Sequence, residues 1–220
     1  FLAVEANGNV LIRSGKIDCG TGHRIAVAQM VAEELGLPVT RIRMIDGDTA
    51  ETPDQGSTGG STGLTRGGME IRQAAATARA ALLQMASQRL GKPAAELMLA
   101  NGKVSPRGAG AGVTIADLVG GKKFALKMDM NAPLRAAGDH TVIGLSPLRP
   151  DVPAKVTGRH TYVQDHVVPG MLHGRVIRPA AIGATLVSVD EASIAGIPDV
   201  RVVRVQNFLG VVARDEWAAV

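Results

Sequence analysis

Aromatic side chains are almost missing from this sequence. Three Phe, one Tyr and one Trp make up 2% of 220 residues, which leaves few flat surfaces on which nucleic-acid bases could stack. The net charge of +4 comes from Lys and Arg scattered along the chain, so it reads as a solvated surface with some attraction for an anionic ligand rather than as a nucleic-acid face. Cysteine occurs once, as Cys19. That excludes an intrachain disulfide and leaves the redox compartment open. No run of about 18 apolar residues exists, which excludes a spanning helix. The five His residues, at 23, 140, 160, 166 and 173, form no i, i+4 pair and have no cysteine at ligand spacing, which argues against protein-ligated zinc. An initiator Met and a signal peptide are missing too. With its last residues, Asp215-Glu-Trp-Ala-Ala-Val, resembling an unfinished helix, the chain is expected to be a piece of something longer.

What is present is a globular composition, 45% hydrophobic and 20% charged, long enough for a proper core and for one or two domains. Its most informative stretch is residues 56–68, Gly-Ser-Thr-Gly-Gly-Ser-Thr-Gly-Leu-Thr-Arg-Gly-Gly, with six Gly and five Ser or Thr in thirteen positions. Glycine lets backbone amides approach a ligand, hydroxyls add donors, and a following helix N-terminus favours negative charge. The stretch therefore suits an anionic ligand, a phosphate above all. It is not a P-loop, because Arg66 stands where a Lys-Thr pair is needed, and the Gly-x-Gly-x-x-Gly spacing is absent. The competing reading is a flexible linker.

Apolar runs at residues 2–6 and 10–14 flank Asn7-Gly8-Asn9, a hairpin turn. An extended segment at residues 16–19 runs into Gly20-Thr21-Gly22. Val27, Met30, Val31 and Leu35 fall on one helical face over His23–Leu35, stopped by Gly36 and Pro38. Residues 39–45 alternate as a strand. Met69–Leu90 is the longest helix, with a stripe of Ile71, Ala75, Ala78, Leu82, Met85 and Leu90. Asn101-Gly102 joins strands at 97–100 and 103–105, and Thr114 caps a short helix to Leu118. Residues 129–153 read as an extended connection. Strands are expected at 171–178, 184–189, 200–205 and 209–213, with a short helix at 191–195. The fold class is α+β: mixed short-strand sheets with two long helices.

Asp18-Cys-Gly-Thr-Gly-His-Arg with the glycine tract, and Asp151-Val-Pro-Ala-Lys-Val-Thr-Gly-Arg-His-Thr-Tyr-Val, mark two segments that together resemble the large, molybdopterin-binding subunit of xanthine dehydrogenase and aldehyde oxidase type molybdenum hydroxylases. The first comprises Asp18-Cys-Gly-Thr-Gly-His-Arg, Val31-Ala-Glu-Glu-Leu-Gly-Leu-Pro, Gly47-Asp-Thr and the glycine tract. The second, Asp151-Val-Pro-Ala-Lys-Val-Thr-Gly-Arg-His-Thr-Tyr-Val with Pro169-Gly-Met-Leu-His-Gly-Arg-Val-Ile-Arg-Pro, is similar to the entry of that family's α/β-hammerhead domain. The cofactor-type segment comes first here, an order similar to the isoquinoline 1-oxidoreductase and nicotinate dehydrogenase branch. The resemblance implies a molybdopterin-binding domain over residues 1–128, a linker at 129–150 and the start of a hammerhead-like domain at 151–220. It also implies hydroxylation of N-heteroaromatic rings or oxidation of aldehydes with water as the oxygen source. The implied cofactor is a molybdenum-pterin, in its molybdopterin cytosine dinucleotide form, with electrons leaving through iron–sulfur clusters on a partner small subunit.

By the same resemblance, Gly20, Thr21 and Gly22 take the place of the family's Gly-Gln-Gly turn, with Thr21 giving a shorter reach than Gln. His23 follows this turn, and Gly59, Gly60, Ser61 and Thr62 stand at the second, Ala-Ala-Ser loop. The family's catalytic glutamate and its Gly-Gly-Phe-Gly-Gly loop have no counterpart, so no catalytic residue is assigned and this stretch alone is expected to be inactive. The absence of a cysteine cluster agrees with iron–sulfur ligation elsewhere. The partners implied are that small subunit, the rest of the large subunit and a small-molecule substrate; nucleic acid and a membrane span are not among them. Cytoplasmic and periplasmic settings are both compatible. The rival reading is a non-catalytic module that binds an anion or nucleotide or serves assembly.

Simpler roles compete at each residue. Cys19 reads as a buried strand-end cysteine or, sitting in the turn, as one that faces the cofactor, and His23 as either a ligand donor or a helix-start surface residue. Glu33-Glu34 read as the solvated face of a helix, Asp46 and Asp48 as turn organisers, and Arg66 as a phosphate contact or a surface cation.

Overall fold

A computed structural model describes every residue except Ala109, Lys123 and Phe124. The chain divides into two compact units, residues 1–152 and 153–220. In the first, strands β1 (Leu2–Val4) and β2 (Val10–Ser14) pair antiparallel with Leu2 opposite Ile12. Their turn needs glycine: Gly8 has φ +79° and donates its amide to Glu5 O at 2.8 Å. Helix α1 (His23–Leu35) then crosses over, and β3 (Ile42–Asp46) returns parallel to β2. β2 is thus the central strand, with Val10 and Ile12 fully buried. The strand expected from residue 39 begins only at Ile42, because Val39–Arg41 wind as a 3₁₀ turn after Pro38.

Helix α2 (Met69–Leu90) occupies the bounds its periodicity indicates and ends at Gly91 in the left-handed conformation. Its buried residues Ile71, Ala75, Ala78, Leu82 and Ala86 join Val27, Val31 and Leu35 of α1 in one apolar core. Each fully buried Val or Leu contributes about 1.5–3 kcal/mol there. Met85 and Leu90, expected in the stripe, are only partly buried. α1 stops at Gly36, where φ is +56° and a Cβ would stand 2.4 Å from Leu99 O, so only glycine lets the helix end against β4 (Leu97–Ala100). β4 pairs with β5 (Lys103–Pro106), which pairs with β6 (Val113–Thr114). Thr114 Oγ1 accepts the amide of Asp117 at 3.0 Å and caps the short α3 (Ile115–Val119).

Residues 129–145 hold turns and one short 3₁₀ segment, Ala137–Asp139, and are tied closely to the helices. Gln73 Nε2 donates to the carbonyls of Asp129 and Ala132, each at 2.8 Å. Arg72 Nη2 donates to Arg135 O at 3.0 Å, and Gln29 Nε2 to Val142 O at 2.8 Å. This strap belongs to the first unit. A short helix, α4 (Val152–Val156), spans the division between units.

In the second unit β7 (His173–Val176), β8 (Arg201–Val205) and β9 (Phe208–Ala213) form an antiparallel sheet in the order β7-β9-β8. The expected strand at 184–189 is absent. The main-chain groups there meet the Asn207 side chain instead of a ladder: Leu186 N donates to Oδ1 at 2.5 Å and Nδ2 donates to Ala184 O at 2.9 Å. The helix expected at 191–195 is a 3₁₀ turn, Glu191–Ile194. The architecture is mixed α and β, with small sheets and two long helices, and no described helix is long and apolar enough to cross a membrane.

Candidate cofactor site

The loops that follow the parallel strands β2 and β3 lie together at the start of α1. In the first loop Asp18 organises the backbone. Its Oδ1 accepts the amides of Gly20 (2.9 Å) and Gly22 (3.2 Å), and its Oδ2 accepts that of Arg24 (3.1 Å). Gly20 and Gly22 have φ of +93° and +77°, a path that glycine takes without strain. Asp46, at the end of β3, accepts Asp18 N at 3.2 Å and the Arg24 guanidinium at 2.7 Å. The α1 N-terminus thus already holds an anion, the Asp18 carboxylate. The amides of Gly20 and Gly22, in the turn that the resemblance assigns to the cofactor, are thus engaged inside the protein. Thr21 is exposed between them, and so is Cys19. The expectation of a buried cysteine fails because the turn projects beyond the strand end.

The second loop is fastened to the end of β2 by three side chains that sequence reasoning missed. Gln55 Oε1 accepts Gly15 N at 2.9 Å and Ser14 Oγ at 3.2 Å, while its Nε2 donates to Glu70 Oε2 at 2.6 Å. Buried Lys16 donates to Ser57 O at 2.6 Å and Gly56 O at 3.3 Å. Thr58 Oγ1 accepts Ile17 N at 3.0 Å. The only sequence signal was polar residues beside glycines at a strand end. Gly59, Gly60 and Ser61 are exposed and Thr62 half-buried. Ser61 is left-handed, with φ +57°, and Thr62 Oγ1 donates to Gly59 O at 2.7 Å. A Cβ added at Gly20, Gly56, Gly59 or Gly60 would meet nothing within 4 Å, so these turns face open space. Gly63–Gly68 then wind as a π-helical segment into α2, and Arg66 on it is exposed. Such wide turns concentrate at functional sites.

His23 joins the two loops. It is 3% exposed, yet neither ring nitrogen has a hydrogen-bond partner among the described residues. Its Nδ1 faces the second loop, 3.3 Å from where a Cβ on Gly63 would lie. Burial lowers the pKa of the ring below the usual histidine value, against the opposing pull of Asp18 and Asp46, so the imidazole is neutral at pH 7. A buried, unpartnered polar ring is costly unless something completes it. Asp48 is the turn organiser expected, accepting Ala50 N at 2.8 Å and Glu51 N at 3.1 Å, whereas Asp46 holds Arg24. Among the described residues no group of three or more His, Cys, Asp or Glu could hold a metal ion.

Glu33 and Glu34 correct the expectation of a solvated helix face, being 1% and 0% exposed. Glu33 Oε2 accepts three consecutive amides of the strap, from Thr141 (2.9 Å), Val142 (2.7 Å) and Ile143 (3.0 Å). Glu34 pairs with Arg72 at 2.9 Å and with Arg79, and accepts Arg135 N at 3.1 Å. Burial alone would raise the Glu33 carboxyl, but the three amides outweigh it and hold it below its ordinary 4.5. Asp18 behaves alike: burial raises it, while the amides of Arg24, Gly20 and Gly22 hold it below 3.8. Both carboxyls titrate lower folded than unfolded. Their stabilisation is therefore complete above the ordinary values and is lost as pH falls through the lowered ones. Urea unfolding should give a free energy that falls somewhat as pH drops through the ordinary histidine value, because folded His23 resists protonation, and that declines further below about pH 5 as the two carboxyls protonate. Glu33→Gln should flatten the decline, and an unchanged acid limb in that variant would contradict this account.

Loops rich in glycine at the carboxyl ends of a parallel strand pair, beside the first turn of the crossover helix, define a cofactor-binding domain with mixed α/β structure. Residues 1–165 match the family model of the molybdopterin cofactor-binding domain, and the chain belongs to that family. It is 44% identical over 229 residues to one of the subunits of nicotinate dehydrogenase from Pseudomonas putida, covering 100% of this chain and 19% of that protein. It is 26% identical over 258 residues to the beta subunit of isoquinoline 1-oxidoreductase from Brevundimonas diminuta, covering 99% and 33%. Against the nicotine 6-hydroxylase large subunit of Paenarthrobacter nicotinovorans the figure is 25% over 201 residues, covering 82% and 25%. The chain spans a third or less of the length of each of these relatives.

Proposed function

We propose that this chain is part of the catalytic large subunit of a molybdenum-dependent oxidoreductase that hydroxylates N-heteroaromatic compounds or oxidises aldehydes. Its first unit would seat the molybdenum-pterin cofactor between Gly20-Thr21-Gly22-His23 and Gly59-Gly60-Ser61-Thr62. The observation that carries this reading is buried His23, its ring nitrogens unpartnered, where two glycine loops converge in a chain of the molybdopterin-binding family. Relatives named for nicotinate, isoquinoline and nicotine favour a heteroaromatic substrate.

The residues present fit such a group. Open space beside Gly20, Gly59 and Gly60 admits a bulky ligand, the exposed Thr21 and Ser61 side chains offer hydroxyl donors, and His23 can donate or accept. When bound, the cofactor would supply the redox chemistry, and the two loops of this chain would hold and orient it. The cytosine dinucleotide form, iron–sulfur clusters on a small subunit, and a hammerhead-like domain beginning in residues 151–220 complete the proposal. The resemblance of the motif beginning at Asp151 supports the last of these.

The test is metal and pterin analysis of the full-length subunit carrying His23→Phe. A ring of similar shape removes unsatisfied polar atoms, so melting should be unchanged or higher, while molybdenum and pterin per chain should fall about tenfold, the equivalent of 1.4 kcal/mol. A folded, active wild-type subunit free of molybdenum would refute the proposal. Tight preference for ordinary nucleotides over a pterin dinucleotide in calorimetry would favour a simple anion-binding module instead.

A further inference from the structure

We propose that Arg149 and Asp151 clamp the Gly20-Thr21-Gly22 turn in its cofactor-binding shape, which makes Arg149 a positioning residue of the site. The inference rests on the cofactor reading above. Arg149 binds Asp151 side-on with two donors, Nε to Oδ1 at 3.1 Å and Nη2 to Oδ2 at 2.7 Å. That pairing aims the third nitrogen, Nη1, at Gly20 O, 2.8 Å away. The arginine stem lies along the turn, since a Cβ on Gly22 would come 3.8 Å from Arg149 Cδ. Asp18 holds the amides of the turn and Arg149 holds a carbonyl, so the backbone is gripped by an anion through its donors and by a cation through an acceptor. Glycine peptides left ungripped rotate freely. Here Thr21 is presented from a turn fixed on both sides.

The strap brings Arg149 to this position. Glu33 holds the amides of residues 141–143, and Gln29 Nε2 holds Val142 O at 2.8 Å and Leu145 O at 3.0 Å. Two turns of α1 thus fix the chain a few residues before Arg149. The same helix whose first turn borders the site also anchors the segment that closes it. A planar fork is required, because a lysine can reach the carboxylate or the carbonyl but cannot bridge both in one geometry.

The experiment uses the full-length subunit with Arg149→Lys, Arg149→Gln and Asp151→Asn. Molybdenum and pterin per chain, circular dichroism of the bound pterin, and hydrogen exchange at the amides of residues 20–22 are read. All three variants should retain about one tenth of the wild-type cofactor, give an altered pterin spectrum and exchange faster at residues 20–22, with global melting preserved. Failure of Arg149→Lys to rescue separates positioning from simple charge. Wild-type occupancy, spectrum and exchange in Arg149→Gln would overturn the clamp. A wild-type subunit with no pterin would instead overturn the cofactor reading, while faster exchange in the variants would still mark the clamp as real.

Discussion

Replacing Glu34 with alanine should cost the first unit about 3–5 kcal/mol, the usual penalty for removing one partner of a buried ion pair. Glu34 is fully buried, and the side chains of Arg72 and Arg79 are only 12% and 13% exposed. Without the carboxylate, two guanidinium groups are left facing each other in a poorly solvated space. Surface pairs behave differently, at about 0–1 kcal/mol, and Arg43–Glu5 of this chain is the internal contrast, with its arginine side chain 65% exposed. Denaturant unfolding of Glu34→Ala and Glu5→Ala side by side checks the claim. The damage should also spread along the strap: Arg135 N loses its acceptor, and the amides of residues 135–143 should exchange faster. A penalty below about 1 kcal/mol would show that the strap does not depend on Glu34.

Gly15→Ala should empty the candidate site while leaving the helices in place. A Cβ at residue 15 would lie 2.1 Å from Pro53 O and 2.9 Å from Gln55 N, so backbone at 53–55 must move. Gln55 connects Ser14 and Gly15 to Gly67 and Glu70, and its displacement unfastens the whole second loop. Overpacking of this kind costs about 1–3 kcal/mol. The larger effect should be on occupancy, with pterin and molybdenum in the full-length subunit down by at least about tenfold, or 1.4 kcal/mol. Near-normal cofactor content in Gly15→Ala would show that the loop seats nothing. Cys19→Ala serves as the control, since its side chain is exposed and no role is assigned to it.

Local signals in the sequence accounted for much of the framework. Both long helices match their apolar spacing and glycine stops, and both Asn-Gly turns join the strands expected of them. Long-range pairing was hidden. Glu33 and Glu34 of α1 look like a solvated face because their partners lie 38 to 110 residues away in the chain. No helical periodicity can report a strap that has yet to fold over it. The same blindness applies at the site. The glycine loops were visible as composition, but Asp18 as their anion, and Lys16, Gln55 and Thr58 as their fastenings, depend on the two loops meeting. At 184–189 the alternating apolar residues suggested a ladder, and a single asparagine from the β8–β9 turn took the hydrogen bonds instead.

The hold of Glu33 on the amides of residues 141–143 also bears on synthesis. A growing polypeptide makes α1 early, and although Arg72 and Arg79 of α2 reach Glu34 soon afterwards, Glu33 stays without its three amide donors until Ile143 has left the ribosome. Until that moment the nascent domain carries an open seam down its side. Closing that seam brings Arg149 to Gly20, so the turn takes its final form only once the strap is made, and on the proposed reading loading of the cofactor would be a late event in maturation.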